Sequence, residues 1–204
     1  MFSSILGYIF RIVPFLRCIE ETKGTQTPIR LHHVLRQKFF LRKKGVYWPI
    51  DKTSIVSGWR NVYCGVETCP GYMPGCYIQG VNPIHIGDYS QISANVGLIS
   101  ANHDLYDLRK HLKSDGIYIG AYSWIGMNVV VLPGVRLGDF TIVGAGAVVT
   151  RSFPEGHCVI AGNPARKIKD LDKDKCVRYE RKNPYNGFLT AKQFAAFRKK
   201  YLAI

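Results

Sequence analysis

The stretch SANHDLYD, residues 100–107, holds one histidine between segments rich in isoleucine, valine and glycine. A histidine can be a general base near neutral pH, a metal ligand, or a structural residue whose ring nitrogens are satisfied. Asp104 and Asp107 follow His103 and could orient its ring, as could a backbone carbonyl, although aspartates in a polar loop are more often solvated or cap turns. Residue types alone leave these roles open, so the surrounding pattern must decide between them.

From residue 119 the chain divides into six-residue blocks that always begin with an aliphatic residue, namely Ile119, Ile125, Val131, Leu137, Val143 and Val149. A second column two residues earlier holds only small or β-branched residues, namely Ile117, Ser123, Val129, Val135, Thr141 and Ala147. Residues two apart share one face of an extended chain, so both columns point into one interior. Because glycine and proline recur and six does not fit a helical period, the blocks predict short strands stacked in a parallel β-helix.

The same phase continues upstream, with Ile86, Ile92 and Leu98 in the first column and Ile84, Ser90 and Val96 in the second. Further back, Ile50, Val56 and Val62 fall in the first-column register, whereas Thr68, Pro74 and Gly80 do not fit it. We therefore predict irregular early coils over residues 46–83. From Leu98 to Ile119 is twenty-one residues, three more than a whole number of blocks. Since a stacked coil can expel extra residues only outward, residues 104–116 are predicted to form a protruding loop that begins directly after His103.

The two ends of the chain lack the repeat. Residues 1–45 are apolar, aromatic and basic, and Arg11, Pro14 and Arg17 interrupt the first apolar run before the ~20 residues that a membrane span needs. We predict a helical extension packed on a β-helix of residues 46–169, with loose attachment to a membrane surface as the alternative. In the C-terminal extension, residues 170–204, Thr190 and Gln193 form a capping-box pattern that predicts a terminal helix.

Charge and cysteine usage narrow the class of partner. Twenty-eight Lys and Arg against fourteen Asp and Glu give a net charge of +14, which attracts anions such as phosphates or acidic lipids. Nucleic-acid binding is not expected, because no aromatic stacking platform or reader motif accompanies the charge. The six cysteines show no C-x-x-C spacing, which favours reduced thiols in a cytoplasmic protein and no metal site built on cysteine pairs.

Three stretches resemble the hexapeptide-repeat acyltransferases, specifically the branch of maltose, galactoside and polysaccharide O-acetyltransferases. They are IGDYSQISANVGLISANHD (86–104), IGAYSWIGMNVVVLPGVRLGDFTIVGAGAVVT (119–150) and VIAGNPARKI (159–168). The resemblance implies a mainly β protein with a left-handed parallel β-helix, assembled as a homotrimer with active sites between neighbouring subunits. It also implies transfer of an acetyl group from acetyl-CoA to a hydroxyl of a saccharide, without a metal.

In this family the histidine at the edge of the protruding loop is the catalytic base, and His103 matches it. An imidazole suits that role because its unperturbed pKa of ~6.5 lets it accept a proton from a hydroxyl near neutral pH. The acceptor alcohol would attack the thioester directly, and a backbone N–H around Ser123 to Gly126 is expected to stabilise the oxyanion. The resemblance and the stacking order give three acceptor-side candidates, namely Asn82, His85 and Trp124.

The resemblance also places coenzyme A along a groove between coils of adjacent subunits. The residues that it implies as contacts are Gly126, Ala145, Gly146, Thr150, Arg151, Arg166 and Lys169. Small residues would let the pantetheine arm approach the backbone closely. Arg151 stands where the family has lysine and adds a planar fork that suits phosphate.

One departure bears on the acceptor. Relatives that use small free sugars carry an acidic helical N-terminal segment, whereas residues 1–45 here are basic and apolar. This composition favours a larger saccharide of surface-polysaccharide synthesis, such as a lipid-linked one, with the protein peripheral at the inner membrane face. Three alternatives are a serine acetyltransferase, which usually has a longer helical N-terminal domain, a non-catalytic β-helix binding module, and a γ-class carbonic anhydrase. The last needs three histidines around one zinc, and His85, His111 and His157 lack the close pair that such enzymes carry.

Overall fold

A computed structural model of the chain describes residues 16–36, 46–112 and 114–204. Its body is a stack of coils with three flat faces. Face A consists of β1 (Ile55–Ser57), β3 (Tyr77–Gln79), β6 (Gly97–Ile99), β9 (Val130–Val131) and β12 (Val148–Val149). Face B consists of β2 (Val62–Cys64), β4 (Ile84–Ile86), β7 (Ile117–Ile119) and β10 (Arg136–Leu137). Face C consists of β5 (Gln91–Ile92), β8 (Trp124–Ile125), β11 (Thr141–Val143), β13 (Cys158–Ala161) and β14 (Arg166–Asp170).

Neighbouring strands on each face are parallel, except that β14 pairs antiparallel with β13. Both predicted columns fill the interior of the stack. The first-column residues from Ile119 to Val149 are at most 3% exposed, and the second-column residues from Ile117 to Ala147 are at most 2% exposed. The predicted β-helix and its inward residues are therefore confirmed from β4 onwards.

The polar members of the second column on face C form a ladder of hydroxyl groups. The backbone N–H of Ser90 donates to Thr68 Oγ1 (3.2 Å), that of Ser123 to Ser90 Oγ (3.0 Å), and that of Thr141 to Ser123 Oγ (3.2 Å). Each hydroxyl thus satisfies a backbone donor of the next coil, which lets these polar side chains lie fully inside. Thr68, which does not fit the first column, belongs to this second column.

The early coils are longer than eighteen residues, and this displaces their register. Ile55 stacks on Tyr77 and Tyr77 on Gly97, so these coils hold 22 and 20 residues, whereas the coil from Val130 to Val148 holds 18. As a result Cys64 pairs with Ile86, and Val62 pairs with Ile84 in the second column. The first-column position predicted for Val62 is wrong because the coil from Val62 to Ile84 holds 22 residues, which is not a multiple of six. Ile50 precedes β1 and is only half-buried.

The N-terminal extension contributes two short helices to the described part of the chain, α1 (Arg17–Glu21) and α2 (Leu31–Leu35). The rest of the helical segment predicted for residues 1–45, namely 1–15 and 37–45, lies outside the described residues, as does Lys113 of the predicted loop. Among the described residues, no helix has the length and apolar character to cross a membrane.

The C-terminal extension runs back from the last coil to the first. It passes the corner between faces B and C, forms the hairpin β15 (Tyr185–Asn186) and β16 (Leu189–Thr190), and ends in α3 (Ala191–Tyr201). The predicted capping box is confirmed, because Thr190 Oγ1 accepts from the N–H of Gln193 while Gln193 Oε1 accepts from that of Thr190. Phe194 of α3 is buried against Tyr47 and Tyr63 at the first coil.

An aromatic ladder lies under this extension. Tyr89, Tyr122, Phe140 and His157 occupy equivalent corner positions with left-handed φ values of 58°, 54°, 54° and 47°. Their ring centroids follow one another at 5.2, 5.0 and 5.1 Å. The guanidinium of Arg178 lies over the rings of Tyr122 and Phe140, so the extension packs along the ladder.

Candidate functional site

His103 lies in a hairpin that leaves the stack at the corner between faces A and B. The backbone N–H of Asp104 donates to the carbonyl of Lys110 (2.9 Å), and that of Leu112 donates to the carbonyl of Asn102 (2.8 Å). These two bonds enclose His103 and His111 as directly opposed residues of an antiparallel pair. We call residues 102–112 the loop hairpin. The predicted protruding loop is therefore a folded element that holds His103 at its base.

The ring of His103 is oriented by a backbone carbonyl. Its Nδ1 atom lies 2.6 Å from the carbonyl oxygen of Leu108. Because a carbonyl only accepts, this contact places the ring proton on Nδ1 and leaves the lone pair on Nε2. The histidine is exposed, so Nε2 can meet a substrate from outside the stack. Such an arrangement suits a general base.

Neither of the two candidate aspartates orients His103. Asp104 Oδ1 accepts from the backbone N–H groups of Tyr106 and Asp107, at 2.8 and 2.9 Å. Asp107 instead pairs with Arg109 (2.9 Å) and Lys110 (3.2 Å), which hold the pKa of its carboxyl below the usual range. Both carboxylates therefore shape the turn of the loop hairpin rather than contact the imidazole.

Of the acceptor-side candidates, Asn82 contacts the root of the loop hairpin, whereas His85 lies elsewhere on the stack. Asn82 is tied to this root, because Asn82 Nδ2 donates to the carbonyl of Ser100 (2.7 Å) and Ser100 Oγ accepts from the Asn82 N–H (2.8 Å). His85 instead stacks on the outside of face B between Tyr63 and Tyr118, with centroids 4.2 and 5.9 Å away. Burial, and then the charge of Arg198, lower the pKa of His85. It lines a shallow groove of about 320 Å³ whose walls do not include His103.

Trp124 and two of the predicted cofactor contacts gather at the corner between faces C and A. Trp124 is 52% exposed on face C, and its Nε1 donates to Ser93 Oγ (3.0 Å). Ala145 and Gly146 are exposed at the turn of the next coil. Gly146 has φ +72°, and no atom lies within 4 Å of the position that a Cβ would take. A ligand chain can therefore approach the backbone closely at this turn.

Gly126, which the resemblance implies as a cofactor contact, has a structural role in the stack. It is buried, and a Cβ on it would lie 2.6 Å from the carbonyl oxygen of Val143, so glycine is needed for the coils to stack. Its N–H donates to that same carbonyl (2.9 Å), and the N–H of Ser123 donates to Ser90 Oγ (3.0 Å). These two N–H groups are therefore engaged, which removes them from the predicted set of oxyanion donors.

Of the basic residues predicted to bind coenzyme A, only Arg151 lines a cavity at the last coil. Arg151 is exposed beside Thr150 in the last coil, lies 5.3 Å from the ring of Phe153, and lines a cavity of about 340 Å³ together with Lys167. Lys167, which lies between the predicted contacts Arg166 and Lys169, was not predicted from the sequence. Arg166 donates to the carbonyl of Ala165 (3.1 Å), and Lys169 is exposed on β14, but neither lines this cavity.

A single chain keeps His103 apart from Trp124, Ala145 and Gly146. His103 lies at the corner between faces A and B, whereas Trp124, Ala145 and Gly146 lie near the corner between faces C and A. About six residues at ~3.3 Å per residue separate neighbouring corners, on the order of 15 Å once the turns are allowed for. A site that uses both groups is incomplete within a single chain.

The described residues give little support for a metal site or for a reactive thiol. In that part of the chain, no three His, Cys, Asp or Glu side chains gather to hold a metal ion. The six cysteines are free, and all but Cys176 are buried. Burial raises the pKa of Cys64, and that of Cys69 to about 12, so these thiols stay protonated.

A family model described as bacterial transferase hexapeptide (six repeats) matches residues 116–151. The galactoside O-acetyltransferase of Escherichia coli K12 is 42% identical over 96 residues, which cover 45% of this chain and 47% of that relative. The chain thus spans about half the length of the curated relatives that it matches.

Two solved structures share the fold. A galactoside acetyltransferase in complex with coenzyme A gives a TM-score of 0.56 at 30% identity, covering 66% of this chain and 68% of that one. A maltose O-acetyltransferase from Clostridium difficile 630 gives a TM-score of 0.53 at 29% identity, covering 61% and 66%. Together with the parallel three-faced stack, these neighbours confirm the predicted left-handed β-helix.

Proposed function

The chain belongs to the hexapeptide-repeat acyltransferases, in the branch that includes the galactoside and maltose O-acetyltransferases, and from this premise we propose that it transfers an acetyl group from acetyl-CoA to a hydroxyl of a saccharide. The observation that carries the proposal is the state of His103. Its Nδ1 is held by the Leu108 carbonyl, and the residue is exposed at the root of the loop hairpin, so Nε2 is the ring nitrogen left to accept a proton. Coenzyme A bound to the galactoside acetyltransferase supports the donor.

The reaction follows from this geometry. Nε2 of His103 accepts the proton of the acceptor hydroxyl as its oxygen attacks the thioester carbonyl carbon. A C–O bond forms, the C–S bond breaks, and the leaving thiolate takes the proton back from the imidazolium. The Leu108 carbonyl stabilises the imidazolium through the N–H on Nδ1. Transfer is direct, without an acyl-enzyme, and a positioned base of this kind contributes about 10²–10⁴-fold.

The active form is a homotrimer in which each site is shared. In the loop hairpin, Leu105, Tyr106 and Leu108 are 84%, 99% and 72% exposed. Such exposure is unusual for large side chains that lie close together in a folded loop. A neighbouring subunit would cover them. The hairpin of one subunit would then carry His103 to the Trp124 and Ala145 corner of the next, which supplies the groups that one chain keeps about 15 Å away.

Coenzyme A lies along that shared groove. The pantetheine arm passes Trp124 and the open turn at Ala145 and Gly146. Thr150 and Arg151 meet the nucleotide phosphates at the last coil, where Arg151 lines a cavity. Lys167 lines the same cavity but is paired with Asp170 at 2.8 Å, so Arg151 is the cation that is left to bind phosphate there. Arg166 and Lys169 sit on the adjacent β14 and add positive charge around it.

The acceptor is a large, lipid-linked saccharide of surface-polysaccharide synthesis, reached by a cytoplasmic protein at the inner membrane face. Residues 1–45 are basic and apolar, which suits the surface of an acidic bilayer. Lys199 and Lys200 of α3 add exposed charge where that helix packs on the first coil. Vesicle sedimentation of the full chain tests this, since no association with acidic vesicles together with a preference for free monosaccharides would refute it.

An assay of thiol release from acetyl-CoA across a panel of acceptors tests the proposed activity. The panel contains free sugars, oligosaccharides, lipid-linked saccharides and serine. We expect a saccharide acceptor to be turned over, and His103→Ala to lower the rate ~100-fold or more, because a general base is lost. Near-normal turnover in the variant would refute the mechanism, and serine as the preferred acceptor would refute the substrate class.

A further inference from the structure

We propose that His111 is a positioning residue for the acetyl transfer, which holds the imidazole of His103 from its face while Leu108 holds it from its edge. The inference deepens the proposed function and rests on His103 as the base. His111 follows His103 by eight residues, and neither the repeat nor the family resemblance singles it out for this chemistry.

The hairpin register brings the two histidines together. His103 and His111 form a directly opposed pair, flanked by the Asp104–Lys110 and Asn102–Leu112 backbone hydrogen bonds. In such a non-hydrogen-bonded pair the side chains lie on the same side of the ribbon, with Cβ atoms about 4.5–5.5 Å apart. The ring centroids are accordingly 4.4 Å apart, with the ring planes tilted by 35°.

The two rings are held differently, and this assigns their roles. His103 has both a fixed ring nitrogen, through the Leu108 carbonyl, and a ring neighbour. Within the described part of the chain, His111 has the ring contact and no side-chain hydrogen bond that would define its tautomer. The better-defined imidazole is suited to proton transfer, so His111 acts through His103.

His111 also gives the His103 ring a support that no neighbouring carboxylate supplies. The Asp104 and Asp107 carboxylates serve the turn and its basic neighbours, and the His103 side chain is otherwise exposed. A single hydrogen bond at Nδ1 leaves the ring free to rock about the bond that bears it, which would move Nε2. Packing against one face restricts that motion, and small misplacements of a reacting group are costly in rate.

The test compares His111→Ala with His111→Phe, which keeps a flat ring of similar width but no ring nitrogen. We expect His111→Ala to lower kcat about tenfold with the KM for acetyl-CoA within about twofold, because positioning rather than binding is lost. We expect His111→Phe to recover kcat to within about threefold of the wild type. Unchanged kcat in His111→Ala, or His111→Phe as slow as His111→Ala, would overturn the inference.

A second readout does not depend on turnover. The ¹⁵N resonances of the His103 ring should report one Nδ1–H tautomer in the wild type and in His111→Phe, and averaged tautomers in His111→Ala. Unaltered resonances in His111→Ala would overturn the inference. If instead the wild type transfers no acetyl group to any acceptor, the proposed function fails while the ring resonances still decide whether His111 positions His103.

Discussion

The carbonyl oxygen of Leu108 lies 2.6 Å from Nδ1 of His103, five residues earlier in the same hairpin. The orienting group of the proposed base is therefore a main-chain atom, and its position depends on the turn that Asp104 and Asp107 stabilise. The hydrogen bond that orients Nδ1 therefore cannot be removed by deleting a hydrogen-bonding side chain. It can be lost when the turn is loosened.

Asp104→Ala should therefore lower kcat about tenfold while the stack stays intact, because the N–H groups of Tyr106 and Asp107 lose their acceptor and Leu108 shifts. Steady-state kinetics and thermal melting check this. Asp115→Ala is the matched control, since Asp115 is an exposed carboxylate at the end of the same loop. Equal losses in both variants would mean that loop charge, not turn geometry, matters.

Two glycines at neighbouring turns should respond differently to alanine. Gly126→Ala places a Cβ 2.6 Å from the Val143 carbonyl oxygen and should lower the free energy of unfolding by about 3 kcal/mol. Gly146→Ala meets open space, so it should cost only the strain of φ +72°, about 1 kcal/mol, while raising the KM for acetyl-CoA. Urea unfolding and kinetics separate these effects, and a stable Gly126→Ala would contradict the stacking argument.

The C-terminal extension should stabilise the stack through an ion pair whose carboxylate is buried. Arg181 Nε lies 2.8 Å from Glu67 Oε2, and the glutamate side chain is only 4% exposed. Arg181→Ala leaves that carboxylate without its cation and should cost about 2 kcal/mol, below the figure for a fully buried pair because Arg181 is 37% exposed.

Arg178→Ala is the control for this loss. Its pair with Asp139 is 56% and 38% exposed, so the loss should stay under about 1 kcal/mol. Urea unfolding of both variants gives the comparison. If Arg178→Ala costs as much as Arg181→Ala, burial is not what distinguishes the two pairs.

Acid should destabilise the N-terminal helices through His33. Burial, and then the charge of His32, lower its pKa from 6.5 to about 4. Between pH 6.5 and pH 4, His33 is therefore protonated in the unfolded chain but not in the folded chain. The contribution of His33 to the free energy of unfolding is thus fully present above pH 6.5 and falls as the pH drops towards 4. The loss at pH 4.5 should be on the order of 2 kcal/mol.

Urea unfolding at pH 7 and pH 4.5 measures this loss, and His33→Gln should remove most of it. His32→Gln should keep most of it, because burial is the larger cause of the shift at His33. A His33→Gln protein as acid-sensitive as the wild type would assign the effect to other groups.

The sequence predicted the regular coils because inward side chains recur with a fixed spacing, as Ile119 and Leu137 do. It misplaced Val62 and assigned Thr68 to no column, since coil lengths of 22 and 20 residues depend on how each turn packs. His103 was predictable from its motif and from the break in register. Its contacts with Leu108 and His111 were not, because they follow from the register of the hairpin.

The C-terminal extension exposes a second limit of sequence reasoning. Its terminal helix was predicted from a local signal, the Thr190 and Gln193 capping box. Its path was not, because the Arg181–Glu67 pair joins residues 114 positions apart and no spacing rule links them. Lys167 was missed for a related reason, since its cavity forms only when β14 folds back antiparallel on β13.

In the proposed homotrimer, His103 of one subunit serves acetyl-CoA held at the Ala145 corner of the next. This sharing is measured by mixing two inactive variants, His103→Ala and Ala145→Trp, of which the second places a large ring at the exposed turn. Each homotrimer should keep about 1% of wild-type acetyl transfer or less. Trimers formed from equal amounts should recover about a quarter, because that fraction of shared sites has both halves intact. Mixed trimers no more active than the separate variants would contradict the claim.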